Sequence, residues 1–265
     1  MRLTTVAAAL ILLLSACAAP EESALDSDVL TIGIRVDLPL VGEDAGDGVE
    51  GFEVDVAVAV AEYLGKDYEF VPVDLTERRT FLLQGKVDMS VATYSITPDR
   101  KQEVLFAGPY AIEYFDILVR AGDDSISSVS DLEGKTVCGT KGSSVFQRIR
   151  AEQRVPVTTI EVDEAPECMD YLADGRADAL TTDIFILTGL RSTADFPVRI
   201  VGAPYSEERV GIGLRRDDVA ACEEINRAIT HLYTSGRMEE MLLRWFGRTG
   251  LDVEDMPVPQ FEGCF

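Results

Sequence analysis

Apolar and polar positions alternate like a strand over residues 30–36, residues 52–64 have the length of a helix and end at Gly65, and residues 68–73 read as a strand again. Residues 80–84 form a short helical stretch stopped by Gly85, and the next strand covers residues 87–92. After a polar loop at 122–130 the rhythm restarts: strand 136–138, helix 144–153, strand 158–162, helix 165–172, strand 179–182 and a helix from Asp183. Alternation of strand and helix predicts a mostly parallel sheet, and the restart predicts two α/β lobes.

A short internal echo fits two lobes. Leu83-Gln84-Gly85-Lys86-Val87-Asp88 and Ala173-Asp174-Gly175-Arg176-Ala177-Asp178 share a helix end, a glycine stop, a basic residue, a small apolar residue and an aspartate. Thr93 and Asp183 lie at the same distance beyond the two glycines, so each lobe brings a polar group to the C-terminal end of a strand, the edge where open α/β sheets bind ligands. The strand-like stretch 209–214, the long amphipathic stretch 219–235 and a last helix at 238–246 return the chain to the first lobe. We therefore expect lobe 1 at 29–119 with 205–265, lobe 2 at 120–204, and a hinge of two crossings.

The N-terminus changes the picture from fold to location. Arg2 and the apolar run 6–14 fit a signal peptide at residues 1–16 and are too short to span a bilayer. Leu14-Ser15-Ala16-Cys17 resembles a bacterial lipoprotein box, which implies lipidation of Cys17, a polar tether at 17–28 and acyl chains as the only membrane anchor. Setting Cys17 aside leaves Cys138, Cys168, Cys222 and Cys264, an even number that in an exported chain suggests two disulfides out of three pairings. Sequence order favours Cys138 with Cys168 and Cys222 with Cys264.

The 265 residues, 46% of them hydrophobic, suffice for a sizeable core, and the formal net charge of -23 argues against a nucleic-acid partner. Any bound anion must meet a few local cations. The single histidine, His231, lies within a helical pattern, which removes most Ser-His-Asp, Cys-His and zinc chemistries. The glycines around Lys141 and those at Gly211 and Gly213 lack the spacing of phosphate or dinucleotide loops. Residues 42–48 read as a solvated acidic loop, not a calcium loop. No metal and no cofactor is expected.

Arg100 is the sharpest local clue, because a guanidinium holds a carboxylate through two parallel bonds and nearby hydroxyls satisfy its remaining lone pairs. Thr93 and Ser95, one alternation apart, face the same side of an extended segment. The segments Gly51-Phe52-Glu53-Val54-Asp55, Gly85-Lys86-Val87-Asp88, Ala92-Thr93-Tyr94-Ser95-Ile96-Thr97-Pro98-Asp99-Arg100 and Phe106-Ala107-Gly108-Pro109-Tyr110 occur in that order. Asp131-Leu132-Glu133-Gly134-Lys135, Gly142-Ser143-Ser144 and Gly175-Arg176-Ala177-Asp178-Ala179 follow, leading to Asp183. Together they resemble the family 3 extracellular solute-binding proteins of amino-acid ABC transporters, over about residues 29 to 247, and in wording the glutamate-type lipoproteins of Gram-positive bacteria.

The resemblance implies a two-lobed, periplasmic-binding-protein-like (type II) fold and a monomer outside the cytoplasm that closes on an amino acid and delivers it to ABC permease subunits. It implies that Arg100, Ser95 and Ser144 clamp the α-carboxylate, that Asp183 and the Thr93 carbonyl take the α-ammonium, and that Ser143 or Thr182 line the cleft. Arginines matching Arg35 and Arg78 receive the side-chain carboxylate in glutamate- and aspartate-binding relatives, which points to an acidic amino acid ahead of glutamine or another polar one. The alternative for Arg35 and Arg78 is pairing with Asp37 or Glu77. Glu53 stands where aspartate is usual and Thr93 where glycine is commoner; the first is expected to matter little, the second to narrow the pocket. An exported cyclohexadienyl dehydratase on the same fold is the enzymatic rival, with Glu113 or Asp116 as its carboxylate.

Overall fold

The computed structural model describes residues 23–253 and 258–265, so the expected signal peptide and Cys17 lie outside the described residues. In chain order, β1 (Val29–Ile34) leads into the short strands β2 (Asp37–Leu38), β3 (Gly42–Asp44) and β4 (Val49–Glu50). Helix α1 (Phe52–Leu64), β5 (Asp67–Pro72), α2 (Glu77–Leu83), β6 (Met89–Val91) and the long β7 (Leu105–Arg120) follow. Then come β8 (Thr136–Thr140), α3 (Val145–Arg148), β9 (Thr158–Val162), α4 (Glu167–Ala173), β10 (Ala179–Asp183), α5 (Ile184–Thr193) and β11 (Val198–Ile200). β12 (Tyr205–Leu214), α6 (Val219–Thr234) and α7 (Arg237–Phe246) complete the strands and α-helices among the described residues.

Among the described residues the main sheet runs β5-β1-β6-β12-β7-β10-β8-β9, with β11 beside the end of β7. Its flanks are parallel, as the β-α alternation predicts: β1 with β5 and β6, β8 with β9 and β10. Its centre is antiparallel, because β7 carries the chain out of one lobe and β12 brings it back. Phe115, Ile117 and Val119 of β7 pack with Val137, Val145 and Ala179, so the end of this strand shares a core with β8, α3 and β10.

Local chemistry moves other boundaries. The Asp74 carboxylate accepts from the backbone N–H groups of Thr76 (2.6 Å) and Glu77 (2.7 Å), which starts α2 three residues earlier than expected and takes Arg78 into the helix instead of ahead of it. The expected helix 144–153 is α3 followed by a wider π-type turn, Ile149–Gln153. Part of the acidic loop 42–48 belongs to β3, which pairs with β2 and β4. Residues 23 and 24, expected within a free tether, are docked: Ser23 Oγ donates to Asp218 Oδ1 (2.6 Å) and the Ala24 N–H to Asp218 Oδ2 (2.8 Å), at the start of α6.

Helix α1 buries Phe52, Val56, Ala57 and Val60 and stops at Gly65, whose φ of 67° is the left-handed cap a glycine tolerates. Phe52 meets Phe185 of α5 edge-on at 5.4 Å, and Phe185 stacks on Phe246 of α7 at 4.3 Å, so aromatic packing crosses from lobe to lobe. Disulfides join Cys138 to Cys168, tying β8 to α4, and Cys222 to Cys264, tying α6 to the C-terminal tail. His231 lies exposed on α6 beside the Tyr63 ring. Among the described residues no helix is long and apolar enough to cross a membrane.

Candidate ligand-binding cleft

The C-terminal ends of β1, β6, β8 and β10 face one narrow cleft between the lobes. Arg35, Arg78, Thr93, Ser95 and Arg100 line it from the first lobe, Thr140, Ser143, Thr182 and Asp183 from the second. Ser144 is buried beside it but directs Oγ to Glu208 Oε2 (3.4 Å) instead. As the lobes stand, the cleft encloses about 10 Å³, roughly the room of one water, so a larger guest requires them to part.

Two guanidiniums approach the Tyr94 ring, with Arg78 at 4.0 Å and Arg100 at 5.3 Å from its centre. Arg78, on α2 and 2% exposed, donates Nη1 to the carbonyls of Ala92 and Thr93, each at 2.7 Å. Arg100 donates Nη1 to Ser95 O and, across the cleft, Nη2 to Gly142 O, both at 2.9 Å. Neither forms an ion pair with a carboxylate among the described residues. Arg35 differs: its fork is matched by the Asp37 carboxylate, with Nε to Oδ1 at 2.6 Å.

The acceptors are equally unmatched. Asp183 ends β10 and caps α5 with no side-chain bond to the helix, and its Oδ1 is buried without a hydrogen-bond partner among the described residues. Thr93 Oγ1 is in the same position. The Thr93 backbone has φ of 46°, a left-handed conformation unusual for a β-branched residue, of the kind that persists at functional sites because its surroundings enforce it. Here the enforcing groups are Arg78 on its carbonyl and the Glu53 carboxylate on its N–H at 2.8 and 3.0 Å. Gly142 also has positive φ, and a Cβ there would lie 3.2 Å from Leu75 O of the opposite lobe, a close approach that a side chain would obstruct.

Residues 30–248 match the bacterial extracellular solute-binding proteins, family 3. The chain belongs to that family. It is similar to the glutamate-binding protein GluB of Corynebacterium efficiens, 32% identical with 88% of this chain and 84% of that protein covered. It is 33% identical to the ABC transporter glutamine-binding protein GlnH of Bacillus subtilis, over 83% of this chain and 82% of that one. Among solved structures, an ancestral arginine-binding protein bound to arginine superposes with a TM-score of 0.77 at 32% identity, covering 83% of this chain and 99% of that one.

This solute-binding protein surrounds its cleft with buried charge. Burial first, then the nearby Glu208, pushes the Asp183 carboxyl up to about 7. Burial raises Glu53 to about 7 as well, against the pull of its bonds from Tyr110 and Thr93. Glu113, opposite Glu208 across the β7–β12 pair, is raised well above the usual carboxylate range by burial and by Asp183. Arg78 is driven well down by burial and then by Arg100. Stable burial of such groups requires compensating charge or hydrogen bonds.

Three contributors escaped sequence reasoning. Glu53, expected to matter little, is buried and holds the Thr93 turn while accepting from the Tyr110 hydroxyl. Glu208 and Arg148 form an ion pair of 2.7 Å at the edge of the cleft. For Glu53 the signal was its position in the Gly-Phe-Glu-Val-Asp segment; for Glu208 and Arg148 no local pattern marks them, since their pairing is purely tertiary.

Proposed function

We propose that this solute-binding protein is the amino-acid receptor of an ABC importer and that its ligand is an acidic amino acid, glutamate or aspartate, enclosed between the lobes and handed to the permease. The observation that carries this reading is the pair of guanidiniums, Arg78 and Arg100, that line one buried cleft without a carboxylate while Asp183 presents an unpartnered oxygen to it. That is the complement of two carboxylates and one ammonium. Arg100, Ser95, Ser143 and Ser144 take the α-carboxylate; Asp183 and the second lone pair of the Thr93 carbonyl take the ammonium; Arg78 takes the side-chain carboxylate. Arg35, already matched by Asp37, adds mainly field. The similarity to a protein named for glutamate supports the assignment.

Delivery without chemistry is the accompanying reading. Glu113 and Asp116, the carboxylates an enzyme on this fold would use, line a separate cavity of about 480 Å³ behind the hinge, not the cleft. The receptor acts as a monomer, held at the outer face of the membrane through a lipidated Cys17.

Calorimetric titration of the refolded protein with glutamate, aspartate, glutamine and arginine tests this. Glutamate or aspartate binds one to one; Arg100→Ala weakens binding about a hundredfold or more for every amino acid, the scale of a lost buried charge pair. Arg78→Met weakens glutamate far more than glutamine. Heat from glutamine or arginine with none from either acid would overturn the acidic assignment and leave the family standing.

A further inference from the structure

Glu208 is a carboxylate of the protein seated where a ligand carboxylate is expected. It lies on β12 with 0% exposure. Its Oε1 is 2.7 Å from Arg148 Nη2 and its Oε2 accepts from Ser144 Oγ at 3.4 Å. Ser95 and Arg100 also act on it electrostatically. Ser95, Ser144 and Arg100 are the groups assigned above to the α-carboxylate, and Ser95 and Ser144 come from opposite lobes. A buried carboxylate of β12 thus reaches across to Ser144, one of the ligand's own donors. Its counterion, Arg148, sits one helical turn beyond Ser144 on α3 and is itself anchored by Glu152, which also accepts from Ser206 Oγ at 2.8 Å.

We propose that Glu208 is a built-in rival of the ligand's α-carboxylate for Ser144, and that Arg148 draws it aside when an amino acid enters. The inference rests on the amino-acid reading of the cleft but not on the side chain of the amino acid. Two like-charged carboxylates cannot share the Ser144 hydroxyl without cost, whereas Arg148 offers Glu208 a second seat within reach. Affinity for every amino acid is then set in part by this pair, whatever the side-chain pocket selects.

The test is calorimetry with glutamate and glutamine on Glu208→Gln, Arg148→Met and the double variant, with circular dichroism to confirm folding. Removing the rival charge in Glu208→Gln tightens both ligands by about tenfold and by equal factors, the scale of one charge-assisted bond no longer contested. Arg148→Met, which leaves Glu208 on the Ser144 hydroxyl, weakens both by a similar factor, and the weakening largely disappears in the double variant. A purely structural Glu208 would give the opposite sign: unchanged or weaker binding by a folded Glu208→Gln overturns the proposal. Should Glu208→Gln not fold, Arg148→Met decides alone, and unchanged binding there overturns it. If the unmodified protein binds neither amino acid, the amino-acid reading itself falls, an outcome distinct from binding that Glu208→Gln fails to tighten.

Discussion

Asp183 must be ionised to hold an ammonium, yet its surroundings favour the neutral acid. Burial and the neighbouring Glu208 place its carboxyl at about 7, so near neutrality about half of the molecules carry a proton there. A protonated Asp183 has little to offer a cation. Lowering the pH through 7 therefore weakens binding, and between pH 8 and pH 6 the ionised fraction, with it the affinity, drops roughly tenfold. Arg100 and Arg78 stay charged over that range and do not reverse the sign. Calorimetry at both pH values, repeated in buffers of different ionisation heat, would show a proton released on binding at pH 6 and little at pH 8. Asp183→Asn should bind weakly with a flat profile. Affinity that rises on acidification would remove Asp183 from the ammonium site.

At the scale of elements, the sequence was legible where structure is local. The flanking β-α units were read because their strands alternate and their helices stop at Gly65, Gly85 and Gly175, each in the left-handed region. β7 was not, since it is buried along nearly its whole length and so shows no alternation, only an apolar run broken by Gly108, Pro109, Glu113 and Asp116. The site divides the same way. Thr93, Ser95 and Arg100 stand together in one short motif, whereas Glu53, Arg148 and Glu208 reach the cleft only through packing that the chain's order does not announce. The tail is only partly of this second kind: its link to α6 through Cys222 and Cys264 was legible in the cysteine order, its ion pairs were not. Glu262 is bonded by Lys101 (2.6 Å) and Arg209 (2.5 Å), its N–H meets Gly108 O (2.8 Å), and Cys264 is fixed to α6 by its disulfide. Closing the 42-residue span between Cys222 and Cys264 restricts the unfolded chain by roughly 3–4 kcal/mol. Cys222→Ser with Cys264→Ser should therefore lower the unfolding midpoint clearly while leaving the affinity for ligand close to unchanged, because the described tail residues brace β7 and β12 and line no part of the cleft. Loss of binding by a folded double variant would show that the brace sets the hinge as well.

For the whole molecule two fields act on an arriving ligand, and they have opposite signs. From a distance the protein presents a net charge of -23, which repels glutamate and leaves glutamine, with no net charge, indifferent. Inside the cleft, Arg78 and Arg100 present unpaired positive charge to whatever has entered. Salt separates the two, because the outer field acts through solvent while the inner one acts over a few ångströms through buried groups that ions scarcely reach. Raising ionic strength from about 10 mM to about 150 mM shortens the screening length from roughly 30 Å to roughly 8 Å, which removes most of the outer repulsion and little of the inner attraction. Stopped-flow association should then quicken for glutamate by a few-fold as salt is added and stay flat for any neutral amino acid that binds, with dissociation unchanged for both. Glutamate association that slows with salt would mean that the cleft's positive field already dominates outside the protein, and that the acidic surface is arranged to leave the entrance clear.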